Sequence, residues 1–134
     1  MQRSIRLGVM MLAMTAGHAA VAQAPARPGM VLREAVGGMP RGEVQDIHVM
    51  TAVIQPGQST VFHTHRFPVT VHLLEGSFTL EMEARAPATI AAGQSMVGPP
   101  HVRMTGHNRS ASEPIRPEIV HVSDPGGPFL DPIH

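Results

Sequence analysis

The chain contains no cysteine. Disulfides therefore contribute nothing to its stability, and any metal held by its side chains must use His, Met, Asp or Glu. Lysine is missing too, every basic residue being Arg, which reads as compositional bias rather than function. Long apolar runs are scarce. The main one, Leu7 to Ala20, follows Arg3 and Arg6 and ends at the small-x-small pattern Ala20-Val21-Ala22. It falls short of the roughly 20 apolar residues that span a bilayer. Residues 1–22 are accordingly expected to be a signal peptide, placing the mature chain in the periplasm or outside the cell, with no stable membrane span. Without Arg3 and Arg6 the remainder is slightly acidic, which removes any electrostatic ground for a nucleic-acid partner. No segment shows a helical hydrophobic period, and no Ser-His-Asp order, phosphate loop or paired-carboxylate arrangement occurs.

What remains is β-like in texture. Residues 23–42 are rich in Pro and Gly and read as a flexible lead-in and arm, with Gly37 to Gly42 as a break. From residue 43 to 123 short extended segments alternate with Gly/Pro turns. Ile47, Val49, Thr51 and Val53 alternate with His48, Met50 and Ala52; Phe78, Leu80 and Met82 alternate with Thr79, Glu81 and Glu83 as a half-buried strand with one wet face. Thr60 to His65, Val69 to Leu74, Thr89 to Ala91, Ser95 to Val97, Val102 to Thr105 and Glu118 to Ser123 are further extended segments. Such a pattern predicts an all-β sandwich or barrel, with Phe78, Leu80, Met82, Ile90, Met96 and Val97 in its core. The tail, residues 124–134, carries Pro125, Pro128 and Pro132 and is expected to lie on the surface.

His63 and His65 carry the chemical signal. In an extended backbone they share one face, about 6–7 Å apart along the strand, where two imidazoles can grip one ion. Their surroundings resemble the cupins, a family of small double-stranded jelly-roll β-barrels. The first cupin motif reads G-x5-H-x-H-x3,4-E-x6-G, and Gly57, His63, His65 and Gly76 stand at its places. The second reads G-x5-P-x-G-x2-H-x3-N, and Gly93, Pro99 and Asn108 match with the spacing intact. The resemblance covers residues 45 to 123. It implies the barrel, an N-terminal arm, pairing into a homodimer through sheet edges and arm, and a metal held by three His and one Glu.

Two of those four ligands are replaced. The motif Glu falls at Val69, the third His at Met104, and His101 stands at a motif Gly. If Met104 only fills volume, as Met commonly does, the metal site is lost. The protein would then bind a small molecule in a largely apolar pocket walled by Val69, Phe78 and Leu80. If Met104 ligates, His63, His65 and Met104 make a set whose thioether favours copper over harder ions. A metal-dependent oxygenase or isomerase with a reduced ligand set is the third reading. His101, Arg103 and His107 are expected near the barrel mouth, Arg103 within reach of an anionic ligand or simply solvated. His72 has the parity to point away from the lumen, and the facing of His121 is open.

Overall fold

A computed structural model describes residues 23–134, so the signal-peptide reading of residues 1–22 lies outside the described residues. The ordered elements are all strands: β1 (Asp46–Thr51), β2 (His63–Thr64), β3 (Val69–Glu75), β4 (Ser77–Met82), β5 (Ala88–Ala91), β6 (Ser95–Gly98), β7 (Met104–His107), β8 (Arg116–Ser123) and β9 (Asp131–Pro132). They form two antiparallel sheets, β1-β8-β3-β6 and β5-β4-β7-β2-β9, that face each other as a jelly roll. Among the described residues no helix is long and apolar enough to cross a membrane.

The extended segments of the sequence become strands with small boundary shifts. The largest contraction is Thr60 to His65, of which only His63–Thr64 is a strand. Gly76 turns the chain from β3 in one sheet to β4 in the other. Its φ is +84°, and a Cβ there would lie 2.5 Å from Ile115 Cγ2, so glycine is required at this corner. Asn108 is buried and brackets another corner. Its amide donates to the carbonyls of Ile54 (2.9 Å) and Glu113 (2.8 Å), and its Oδ1 accepts from the Ser110 N–H at 3.0 Å.

Apolar side chains from both sheets, including Val69, Val71, Leu73, Phe78, Leu80, Met104 and Ile115, meet between them as the core. Met82 and Met96 pack against this core partly buried, and Ile90 is part of it. Val97 is not. It shares the outer face with Thr70, its cross-strand partner, beside Val36 of the arm. Thr79 departs from the wet-face reading as well: it is buried, with its hydroxyl 2.9 Å from that of Thr89.

β1 keeps its period of two but turns its apolar set outward. Ile47 and Val49 are 73% and 63% exposed, while His48 and Met50 face in. Alternation establishes that two faces exist; which one is buried depends on the opposing strand. The arm forms no strand, and its Leu32, Val36 and Met39 border the outer face at Pro68, Thr70, Val120 and Val122.

The tail departs most from expectation. Pro132 pairs with His63 and Asp131 with Thr64, so the tail supplies the edge strand of the second sheet. An edge position spares Pro132 the ladder donor it lacks. Ile133 N–H donates to the Phe62 carbonyl at 2.9 Å, and Arg66 forks onto both Asp131 oxygens at 2.9 and 3.0 Å. Phe129 and Leu130 thereby turn into the barrel instead of lying across its surface.

Candidate metal centre

Two paired strands, β2 and β7, with the segment that follows β2, bring the candidate ligands together. β2 lies between β7 and β9, and its only register partner on β7 places Met104 directly opposite His63. Directly opposed residues of paired strands share a face, with Cβ atoms about 4.5–5.5 Å apart. His63, His65 and Met104 are 5%, 4% and 2% exposed. All three line one internal cavity of about 80 Å³, whose other walls include Val69, Val71, Phe78, Leu80, Phe129 and Leu130. Gly98, opposite Val69, leaves room at the sulfur: a Cβ there would lie 3.8 Å from Met104 Sδ.

The two imidazoles are oriented by the backbone. His63 Nδ1 donates to the Val61 carbonyl at 2.6 Å, and His65 Nδ1 donates to the Phe129 carbonyl, also at 2.6 Å. A carbonyl only accepts, so each neutral ring carries its proton on Nδ1 and its lone pair on Nε2. These Nε2 atoms lie 3.0 Å apart, with ring centres at 4.7 Å. Two lone pairs repel at that separation unless a proton on one ring, donated to the other, or a metal ion stands between them. An ion bound at 2.0–2.1 Å from both nitrogens would subtend about a right angle across such a gap. The carbonyl anchoring is also the arrangement that fixes tautomer and ring direction in metal-bound histidines.

Burial pushes the His65 pKa down to about 4, against the opposing pull of its bond to the Phe129 carbonyl and with the help of neighbouring His63 and His121. His121 is lowered as well, by burial first and His48 second. Both shifts lie below the unfolded value of 6.5, so the unfolded chain binds more protons between that value and the folded one. The contribution of these two groups to the stability of the metal-free protein is therefore full above about pH 6.5 and is lost as pH falls towards about 4. Thermal melts of chelator-treated protein across this window are expected to show a steadily falling transition. A flat profile would refute the buried-neutral assignment.

The remaining candidates lie elsewhere. Val69 stands on the cavity wall at 2% exposure, in the motif's carboxylate position but offering only methyl groups. Phe78 and Leu80 are wall residues too. Arg103 is exposed and pairs loosely with Glu83 at 3.7 Å. His107 faces outward from β7 and bonds to Ser59 Oγ at 2.8 Å and Glu81 Oε2 at 3.1 Å. His101 is exposed, with φ +59°, the left-handed backbone that the motif Gly would adopt, and its N–H donates to the His65 carbonyl at 2.8 Å. These three are not brought to the cavity. His72 sits outside it, its Nδ1 2.8 Å from Ser95 Oγ. Among the described residues no three His, Asp or Glu side chains converge as a metal group, and the side chain directly opposite His63 is the thioether of Met104.

Sequence reasoning missed Phe129 and Leu130, because nothing local marks a Pro-rich tail as a cavity wall. It also left open His121, which is fully buried on the inner face of β8, its ring centre 6.2 Å from that of His65. Alternation along residues 118–123 carried the signal for that facing, had the register with β3 been known.

No family model and no curated protein matches the chain. Solved structures do. A conserved protein with a double-stranded beta-helix domain from Klebsiella pneumoniae superposes with a TM-score of 0.56 at 21% identity, over 78% of this chain and 91% of that one. A cupin-like protein from Thermotoga maritima gives 0.53 at 19% identity over 65% and 64% of the respective chains. The chain has the cupin fold. A third similar structure, the DMSP lyase DddQ from Ruegeria pomeroyi, gives 0.54 at 15% identity over 63% of this chain. The matched part spans under two thirds of the Thermotoga cupin and 42% of the lyase. Within this cupin barrel, β2 and the residue after it present His63 and His65, β7 presents Met104, and β3 presents Val69.

Proposed function

We propose that the protein is an exported cupin that binds one copper ion, as Cu(I), through His63 Nε2, His65 Nε2 and Met104 Sδ. The observation that carries this reading is the pair of lone-pair nitrogens facing each other at 3.0 Å, each ring locked by a backbone carbonyl. The donor set suits a soft, singly charged ion: two neutral imidazoles, a thioether and no carboxylate to offset a second charge. The apolar leader-like start supports export, where copper is encountered. A cavity of about 80 Å³ is small for an organic ligand, since drug-sized ligands fill roughly 300–1,000 Å³. That size supports the metal reading over the small-molecule reading and over an enzyme acting on an organic substrate.

Anaerobic titration with Cu(I) against a chromophoric chelator tests the reading. One equivalent per chain is expected, undisturbed by excess Fe(II) or Mn(II). Preferential binding of iron or manganese at one per chain would favour the enzyme instead, and no bound metal would end the metal reading.

The assembly we propose is a homodimer. β1 is an edge strand whose exposed face carries Ile47 and Val49, and the arm adds exposed Met30 and Val31. An apolar edge strand of this kind invites pairing with a second copy, which would cover Ile47 and Val49. Light scattering at micromolar concentration is expected to give twice the chain mass, and I47D/V49D to give the monomer. A wild-type monomer would contradict it.

A further inference from the structure

We propose that His121 is a third imidazole ligand of the same ion, turning onto it when the metal enters. The inference rests on the copper reading and adds a donor that the cupin motifs do not contain. His121 is 0% exposed, and neither Nδ1 nor Nε2 has a hydrogen-bond partner; no other buried side-chain nitrogen or oxygen among the described residues is left so. A buried polar atom without a partner is costly, and native proteins keep few without a reason. Its surroundings offer no remedy. Phe67 and Phe129 flank the ring, with centres at 6.5 and 5.6 Å. His48, its partner across β1, commits Nε2 to Ser123 Oγ at 3.2 Å.

The position of His121 in the sheet gives the vacancy a use. On β8 it lies directly opposite Val69 of β3, the residue that takes the place of the motif carboxylate. The row that lost one donor thus carries a neutral donor one strand away, on the same lumen face. Its ring centre is 6.2 Å from that of His65. With metal–nitrogen bonds of 2.0–2.1 Å, each ring centre sits about 3.2 Å from the ion, so ligating rings stand at most about 6.4 Å apart. Against His65, His121 falls inside that limit; it does not line the cavity as the structure stands, so reorientation about its own side-chain bonds towards the pair is the movement required. A third imidazole also supplies electron density where Val69 supplies none.

X-ray absorption on the Cu(I)-loaded full chain, with chelator competition, decides the matter. Wild type is expected to show three imidazoles and one sulfur. His121→Leu is expected to show one imidazole fewer and to bind Cu(I) at least about tenfold more weakly. Its metal-free melting temperature should hold or rise, because the unpartnered nitrogens are gone. Should the Leu variant fail to fold, His121→Gln gives the same reading of coordination and affinity. Unchanged coordination and affinity in a folded variant overturn the role of His121 and leave the His63/His65/Met104 site standing. Wild type that takes up no copper overturns the site itself, and this inference with it.

Discussion

Met104→Leu is expected to weaken Cu(I) binding by about a hundredfold or more while moving the melting temperature by only a few degrees. Leu and Met differ little in volume, and such exchanges in cores usually cost under about 1.5 kcal/mol. Met104 is 2% exposed, and Gly98 beside its sulfur carries no side chain to clash with a leucine. What the exchange removes is the sulfur. Two imidazoles alone still bind Cu(I), but they favour it less sharply over other ions than a set containing a thioether. Affinity and selectivity should therefore fall together, read by chelator competition and by rivalry with Zn(II), against nearly unchanged denaturation curves. A variant with wild-type affinity would assign Met104 to packing alone, which is the reading its chemistry equally allows in the bare sequence.

Ending the chain at Pro128 is expected to have the largest combined effect. It deletes the Phe129 carbonyl that orients His65, the Phe129 and Leu130 walls, and the β9 edge strand. The ring of Phe129 packs on His65 at 4.9 Å and on His121 at 5.6 Å, so both imidazoles lose cover. Removing a packed aromatic and several backbone hydrogen bonds is expected to cost about 3–5 kcal/mol. Loss of the carbonyl partner alone is of the kind that lowers metal affinity about 10–100-fold. Arg66→Ala is the control. Its ion pair with Asp131 is solvent-exposed and contributes little, so this variant should leave copper affinity near wild type. Guanidinium denaturation and Cu(I) competition on both variants separate the tail's contributions. A truncated protein unchanged in both would return the tail to the surface role its prolines first imply.

Particular residues show how far the linear pattern reaches. Gly57, Gly76, Gly93, Pro99 and Asn108 mark turns and corners, and turn chemistry is local, so the motif spacing located the barrel. Gly76 carries its own explanation in a positive φ and a close neighbour. The opposite case is β1, where the same alternation fits either face, and Ile47 and Val49 proved to be the outward set. His107 and Arg103, flanking Met104 in the sequence, read as residues of the barrel mouth that either reach a ligand or are simply solvated. One step of parity and a salt-bridging partner send them to the outer surface.

The spacing of two histidines could be read without coordinates by counting along a strand, and the identity of their replaced companions, Val69 and Met104, follows from the resemblance to the two cupin motifs. Three other facts needed the folded chain. His63 and His65 face each other through unprotonated nitrogens because carbonyls from Val61 and Phe129 hold their far sides. The Pro-rich tail closes the cavity because β2 has a free edge that Pro132 can occupy. His121 lies inward and unpartnered because β8 is pinned between β1 and β3 in a particular register. Each is a contact between residues more than fifty positions apart, or depends on one, and such contacts leave no trace in the local alternation of a strand.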